Sequence, residues 1–417
     1  MALYLCADFH HSEATPFMRH TRLLRDSLPL LAFGLLLTFF SSFGQTFLLS
    51  LYVPDIEALL GISNTVFGSL YAVATLSSAF TLPWLGGRFD RMPIRAYTLM
   101  VLVGLMAALL LLSSARHLIV VVIAFYGLRL FGQGLMSHTA VSAMARYFEG
   151  NRGKAIGIAT LGHPIGEATL PLLVTLLIGG FGWRSTLQFS ALSIAVVVLP
   201  ATLLFLRRAR SRLEKFEAAN DTDATTAVHQ SIWQLMAERR FWIITPLVFM
   251  TGYTNTALFF FQLKLGDARG WSPEWVAGSL SAFALASALG MAGAGPLVDR
   301  LSGRQLFPGY MIPYVAGLLI LVFFHQPVAY PVALLLMGLA NGSGSTVKNA
   351  MLAEIYGIQI IGKVRSVFTT VMVISTALGP ISFGILLDAE FSYGWIFSLV
   401  AGVIVLTIFN GWRRLAS

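Results

Sequence analysis

Charge is scarce in this chain. Of 417 residues only 11% are Asp, Glu, Lys or Arg, against 56% apolar, and the mean hydropathy is +0.76. A soluble domain carries about 25% charged residues. A chain this poor in charge cannot clothe itself in a water-compatible surface, so lipid must be part of its solvent. Cysteine is nearly missing too: Cys6 stands alone, which excludes an internal disulfide framework and any cysteine-based zinc site. Catalytic signatures are also lacking. There is no Walker spacing, no nucleophile elbow and no paired metal ligands, which argues against ATP hydrolysis and a membrane enzyme, and no cofactor is expected. The formal charge of +9 does not point to nucleic acid, because the basic residues sit in short tracts between apolar runs and form no basic face with interleaved aromatics.

What is abundant is long apolar sequence. A spanning helix needs about 20 apolar residues. Twelve stretches qualify: 29–53, 65–86, 94–114, 118–143, 153–179, 184–206, 241–264, 274–297, 305–324, 328–352, 364–387 and 393–412. Most connections between them are very short, so neighbours in sequence are antiparallel neighbours in space. The exception is 207–240, which opens with Arg207, Arg208, Arg210, Arg212 and Lys215 and then turns polar at Asn220-Asp221-Thr222-Asp223. It reads as a cytoplasmic linker, with an amphipathic interfacial helix around Ile232, Trp233, Leu235 and Met236. The expected division is therefore an N-terminal cytoplasmic segment (1–28), a six-helix unit (29–206), the linker (207–240) and a second six-helix unit (241–417). The first residues lack the order of a signal peptide, and residues 1–17 are expected to be an extension ahead of the basic start Met18, Arg19, Arg22, Arg25.

Lys and Arg set the orientation. Of the 28, twenty-two fall in segments that share one side if both termini are cytoplasmic. Four fall on the other side (Arg116, Arg184, Lys264 and Arg269), and Arg129 and Lys348 fall inside helices. The positive-inside rule favours that orientation, and a multi-pass protein of the plasma (cell inner) membrane is expected.

The two halves repeat. Gly86-Gly87-Arg88-Phe89-Asp90-Arg91 returns as Gly295-Pro296-Leu297-Val298-Asp299-Arg300, with the aspartates 209 residues apart. Ser63 and the Gly68-Ser69-Leu70-x-Ala72 after it return as Ser272 and Gly278-Ser279-Leu280-x-Ala282. Gly153-Lys154 matches Gly362-Lys363, Pro171 matches Pro380, and Gly182-Trp183 matches Gly394-Trp395. Matches at spacings of 209 to 212 residues make an internal duplication.

The doubled charged knot resembles the loop signature of the major facilitator superfamily of secondary transporters, and the resemblance covers residues 19–414. It implies an all-α integral membrane fold, with twelve transmembrane helices in two parallel-repeat six-helix bundles and the site at the repeat interface near midplane. It also implies that the knots (Gly86, Asp90, Arg91; Gly295, Asp299, Arg300, Gly303, Arg304) latch the halves together on the inner side. Asp90 and Asp299 would be anion latches, accepting from backbone donors at a helix N-terminus, and Arg91 and Arg300 would pair with acidic or carbonyl groups. The pattern departs from the family at Pro93 and Ile94, where glycine and a basic residue are usual, and by one extra residue before Gly303.

Within the helices, Arg129 in Arg129-Leu130-Phe131-Gly132-Gln133-Gly134 is expensive in a bilayer and is expected to face a cavity or partner; Gly132 and Gly134 allow close helix packing. His138, nine residues on in the same helix, is a further candidate for the same cavity. His163 and Glu167 are four apart and share one face. A carboxylate poised between burial and a nearby cation can load and release a proton, and histidine is the other natural switch. The Gly162-His163-Pro164 segment is similar to a glycine–proline motif of drug/proton antiporters, interrupted here by His163. In Asn341-Gly342-Ser343-Gly344-Ser345-Thr346-Val347-Lys348, the small residues are expected to loosen packing and expose backbone, with Lys348 adding cavity charge or snorkelling to the interface. The resemblance makes helices 1, 4, 7 and 10 cavity-lining, so Gln45, Thr46, Tyr253, Thr254, Asn255 and Asn341 become substrate-contact candidates. Arg129, Lys348 and the two histidines against one deep carboxylate favour a proton-coupled carrier of a small organic anion, similar in character to monocarboxylate carriers; a monomer is expected. A proton-driven exporter of drugs or amphipathic cations, and a non-transporting receptor or scaffold, stay open.

Overall fold

The computed structural model describes residues 16–148, 152–210, 213, 232–357 and 360–415. Among them every regular element is helical, and eleven helical stretches are long and apolar enough to cross a membrane. The spans are α1 (Pro16–Phe40), α2 (Asn64–Gly86), α3 (Ile94–Ser113), α4 (Leu118–Tyr147), α5 (Arg152–Phe181), α6 (Trp183–Arg208), α7 (Arg239–Phe260), α8 (Pro273–Leu301), α9 (Gly303–Phe323), α10 (Ala329–Tyr356), α11 (Ile361–Asp388) and α12 (Tyr393–Leu415). The span that falls short on composition is α10, whose run from Asn341 to Asn349 dilutes an otherwise apolar helix; its length and its packing between α8 and α9 make it the twelfth. The expected extension over 1–17 and the polar part of the linker lie almost wholly outside the described residues. From the linker, Ile232–Ala237 forms a short helix with Leu235 buried.

The sequence repeat has physical causes. Ser63 and Ser272 are the N-caps of α2 and α8: each hydroxyl accepts a backbone N–H three residues on, from Val66 at 3.4 Å and Trp275 at 3.2 Å, satisfying a donor that the helix leaves unpaired. Gly68 and Gly278, which follow, are the points where the halves meet. A Cβ on Gly68 would lie 2.5 Å from the Pro380 carbonyl oxygen of α11, and one on Gly278 would contact Leu172, beside Pro171 of α5. The halves thus join through two equivalent helix pairs, α2 with α11 and α5 with α8.

Two spans are interrupted. After Phe40, α1 tightens into a 3-10 turn (Ser41–Gly44), the chain extends at Gln45 (φ −83°, ψ 148°), and the helix resumes as Thr46–Leu49, Ser50–Tyr52 and Val53–Leu60. The single span expected over 29–53 is therefore broken in its middle. Likewise α7 stops at Phe261, and Gln262–Ala268 is a separate turn of helix. In a membrane such breaks are tolerated where protein satisfies the freed backbone groups. Arg129 does so here by donating to the Gly44 carbonyl.

Glycine sets the helix crossings. Gly44 of the α1 break and Gly132 of α4 meet backbone to backbone: a Cβ on Gly132 would be 2.8 Å from Gly44. The α8–α10 contact is closer still, and it corrects the expectation for α10. Gly338 and Gly342 do not loosen packing. A Cβ would lie 2.2 Å from the Phe283 carbonyl oxygen at the first and 1.8 Å from that of Ser287 at the second. Small residues in a bilayer serve close approach, because van der Waals contact replaces the missing hydrophobic drive between helices.

Candidate functional site

Halfway along α4 the helix widens to π geometry from Leu128 to Met136, a local form frequent at functional positions. Arg129 lies in this stretch, 5% exposed. Its Nη1 donates to the Gly44 carbonyl and to Thr46 Oγ1, both at 3.4 Å, and its guanidinium stands 5.2 Å from the Tyr71 ring centroid. Tyr71 Oη and Thr46 Oγ1 share a 2.6 Å hydrogen bond. Arg129 Nε is buried without a partner, and among the described residues no carboxylate pairs with the cation. No ion pair joins Arg129 to Glu167. Over this group sits an aromatic cluster that crosses between the halves. Phe260 of α7 is 4.8 Å from Tyr71 and 5.6 Å from Phe67, and Phe67 is 5.7 Å from Phe125.

A second group lies where α1 crosses α5. Gly162 and Gly166 press against Thr38 and Ser42, Thr38 donates to the Ala159 carbonyl, and His163 Nδ1 is 3.3 Å from Ser41 Oγ. Glu167, one turn from His163, has no hydrogen-bond or ion-pair partner among the described residues. Ser42 Oγ nearby is also buried and unpaired.

In the other half, Asn255 Nδ2 donates to Asn341 Oδ1 at 2.9 Å, and Asn341 Nδ2 donates to Ser287 Oγ at 3.3 Å, tying α7, α10 and α8 together and leaving Asn255 Oδ1 buried and unpaired. Tyr253 instead bonds Ser382 of α11 at 2.6 Å. Thr254 is turned into its own helix, donating to Met250 O. Gln45 contributes through its extended backbone, its carbonyl accepting from Leu48 and Leu49. Lys348 has no partner among the described residues.

His138 is not brought to Arg129. Its Nε2 lies 3.2 Å from the Gly86 carbonyl and its ring packs on Phe89, beside the first charged knot. Nine residues make about 2.5 turns of a regular helix, which places His138 half a turn round from Arg129 and well along the axis toward the knot.

The knots differ from expectation in their bonds. Asp90 is 80% exposed at its side chain and meets Arg146 of its own half at 4.0 Å, and Arg88 stacks on Trp84. The carboxylate that caps a helix N-terminus at the second knot is Glu354 of α10, accepting from Gly303 N at 2.7 Å and Arg304 N at 2.9 Å. Asp299 cannot take that role, since it falls in the last turn of α8. Arg91 and Arg300 have no partner among the described residues. Among the described residues, the bonds that do cross between halves lie at the far end, opposite the knots, among Phe47, Ser50, Glu57, Asn64, Thr65, Gln262, Lys264 and Asp388. Sequence reading singled out none of these for a role; the only signal was polarity at helix ends in loops otherwise poor in charge.

The fold has solved relatives in shape. The nucleoside transporter NupG aligns with a TM-score of 0.74 at 13% identity, over 93% of this chain and 98% of that one, and a point variant of it aligns at 0.72. A bacterial homolog of the human lysosomal transporter Spinster, in an inward-facing and unoccupied conformation, aligns at 0.62 with 14% identity, over 97% and 96% of the two chains. No curated protein matches the sequence. A family model described as Major Facilitator Superfamily matches residues 34–327 and 248–415. The chain therefore belongs to the major facilitator superfamily, a family of membrane transporters and not of enzymes.

Proposed function

We propose that the chain is an alternating-access carrier of a small organic anion, with protons as the coupling ion and Arg129 as the anion's anchor. The observation that carries this reading is the state of Arg129. A buried cation that meets only neutral oxygens at 3.4 Å, with Nε unpaired, is costly until an anion joins it. Tyr71, Thr46 and the Gly44 carbonyl surround the anchor, Gln45 follows Gly44 in the break of α1, and the bonded pair Asn255 and Asn341 is the polar group proposed to meet the substrate from the other half. Glu167 and His163 are the proposed proton carriers. Residues 207–240 divide the two moving units, the knots lie on the cytoplasmic side of the plasma membrane with both termini, and the protein works as a monomer. The gathering of the cross-half bonds at the end opposite the knots supports a path that opens toward the knots in this conformation, with the latch of the knots belonging to the opposite one.

The rival reading, a proton-driven exporter of amphipathic cations, draws on the unpaired Glu167. A neutral solute such as the nucleoside of NupG's name would leave Arg129 uncompensated. The test is binding and flux in liposomes with purified protein and a panel of carboxylates, amphipathic cations and nucleosides. A carboxylate is expected to bind, and Arg129→Ala to weaken it by about 30-fold or more, as truncating one partner of a buried charge pair costs about 2–5 kcal/mol. Unchanged carboxylate binding in the folded variant, or transport confined to cations or neutral solutes, removes the anion reading.

A further inference from the structure

At the far end one cation reaches across the molecule. Lys264, in the helix Gln262–Ala268 that follows α7, pairs with the Glu57 carboxylate and donates to Asn64 Oδ1. Glu57 lies in Val53–Leu60, the continuation of α1; it is 7% exposed, and its Oε1 is buried without a partner. Asp388, the last residue of α11, accepts the backbone N–H groups of Asn64 (3.1 Å) and Thr65 (2.8 Å) and Asn64 Nδ2 (2.7 Å). It so completes the first turn of α2 from the other half. Deeper in, Gln262 Nε2 donates to the Phe47 carbonyl (3.0 Å) and Ser50 Oγ (2.8 Å).

We propose that Glu57, Asn64, Lys264 and Asp388 form the outer gate of the transport cycle, and that Lys264 is the residue that holds it shut. This rests on the alternating-access reading above. Exposure of the Arg129 pocket at the far end requires these bonds to part, and Lys264 joins two of the other three groups at once. The acidic and ionisable groups around Glu57 are Asp55 on its own helix, Asp267 beside Lys264, Asp388 on α11 and Tyr393 on α12; Lys264 is the cation among them. A buried carboxylate without its cation is expensive.

Burial pushes the Glu57 carboxyl above its ordinary value, Asp388 adds to this, and Lys264 opposes it. With Lys264 removed, the closed gate keeps Glu57 buried only if it takes a proton, whereas an open gate exposes an ordinary carboxylate. The closed form then binds the proton more tightly. By linkage, closure is favoured at low pH and lost as pH rises through the closed-state value.

The test uses the full chain in a Cys6→Ala background, with spin labels at Leu59→Cys and Ala268→Cys for the far end and at Arg95→Cys and Arg365→Cys for the knot end. At neutral pH, Lys264→Ala is expected to raise the ratio of open to closed far ends about tenfold or more, which corresponds to about 1.4 kcal/mol. Acidification should reverse the shift, and adding Glu57→Gln should restore closure at every pH. Asp388→Asn, which weakens the α2 cap, should open the far end without acid reversal; it serves as the second variant if Lys264→Ala does not fold. A far-end distance distribution unchanged in the folded variants overturns the gate. A far end that opens while the knot-end distance stays fixed preserves the gate and refutes alternating access instead. A loss of compactness that acid does not reverse assigns Lys264 a structural role and overturns the proposal.

Discussion

Arg129 and Glu167 face the same physical problem with opposite sign. Each is an ionisable group deep in the spans with no counter-ion among the described residues, and neither is economical unless something mobile compensates it. On the function proposed above, a substrate compensates Arg129 and a proton compensates Glu167. Glu167→Gln is therefore expected to abolish uptake driven by a pH gradient while leaving substrate exchange across the membrane largely intact, a split that counterflow and gradient-driven assays in the same liposomes resolve. Both residues were legible from sequence, since a charge inside an apolar run is conspicuous. Their surroundings were not. Tyr71, which meets both Thr46 and Arg129, hides at the variable position of the repeated Ser-Leu-x-Ala, and nothing in a linear pattern brings it 58 residues along the chain to Arg129.

At the scale of the helix, what decides the architecture is where backbones touch. The α8–α10 crossing leaves no room for a side chain at Gly342, whereas a methyl group on Gly293 of α8 would meet nothing within 4 Å. Gly342→Val should thus lower the thermal midpoint of the purified protein markedly, the overpacking cost being about 1–3 kcal/mol or more, and Gly293→Val should leave it nearly unchanged; similar midpoints for the two would contradict the crossing. The sequence showed Gly342 plainly, and the expectation of loosened packing drawn from its run had the wrong sign. Composition tells that a segment can be approached closely, but not whether a neighbour does so. The breaks at Gln45 and Phe261 were equally illegible. No proline or glycine marks either residue itself, and the interruption is held by a partner helix, through Arg129 at the first and through Gln262 bonded to the facing half at the second.

Over the whole molecule, the order of spans and the duplication were readable because a bilayer forces long apolar runs and because the repeat preserves its caps and crossing points, Ser63 with Ser272 and Gly68 with Gly278. The orientation proposed from the basic loops predicts that a tag at the C-terminus is reached by antibody only after permeabilisation, while Lys264 and Arg184 are labelled on intact cells by an impermeant amine- or guanidine-directed reagent; the reverse pattern would invert the assignment. The conformation itself could not be read, since one sequence serves every state of a cycle and only coordinates show which end is tied.

The α2 cap carries a last energetic meaning. The carboxylate that finishes this helix belongs to the opposite half, so when the halves part the amides of Asn64 and Thr65 pass to water and Asp388 regains its hydration shell. Each such exchange nets only about 1.5–3 kcal/mol for a bond to a charged group, far less than tearing apart a packed apolar face. A seam built from hydratable contacts keeps both conformers close in free energy, near enough for one small ligand to tip the balance.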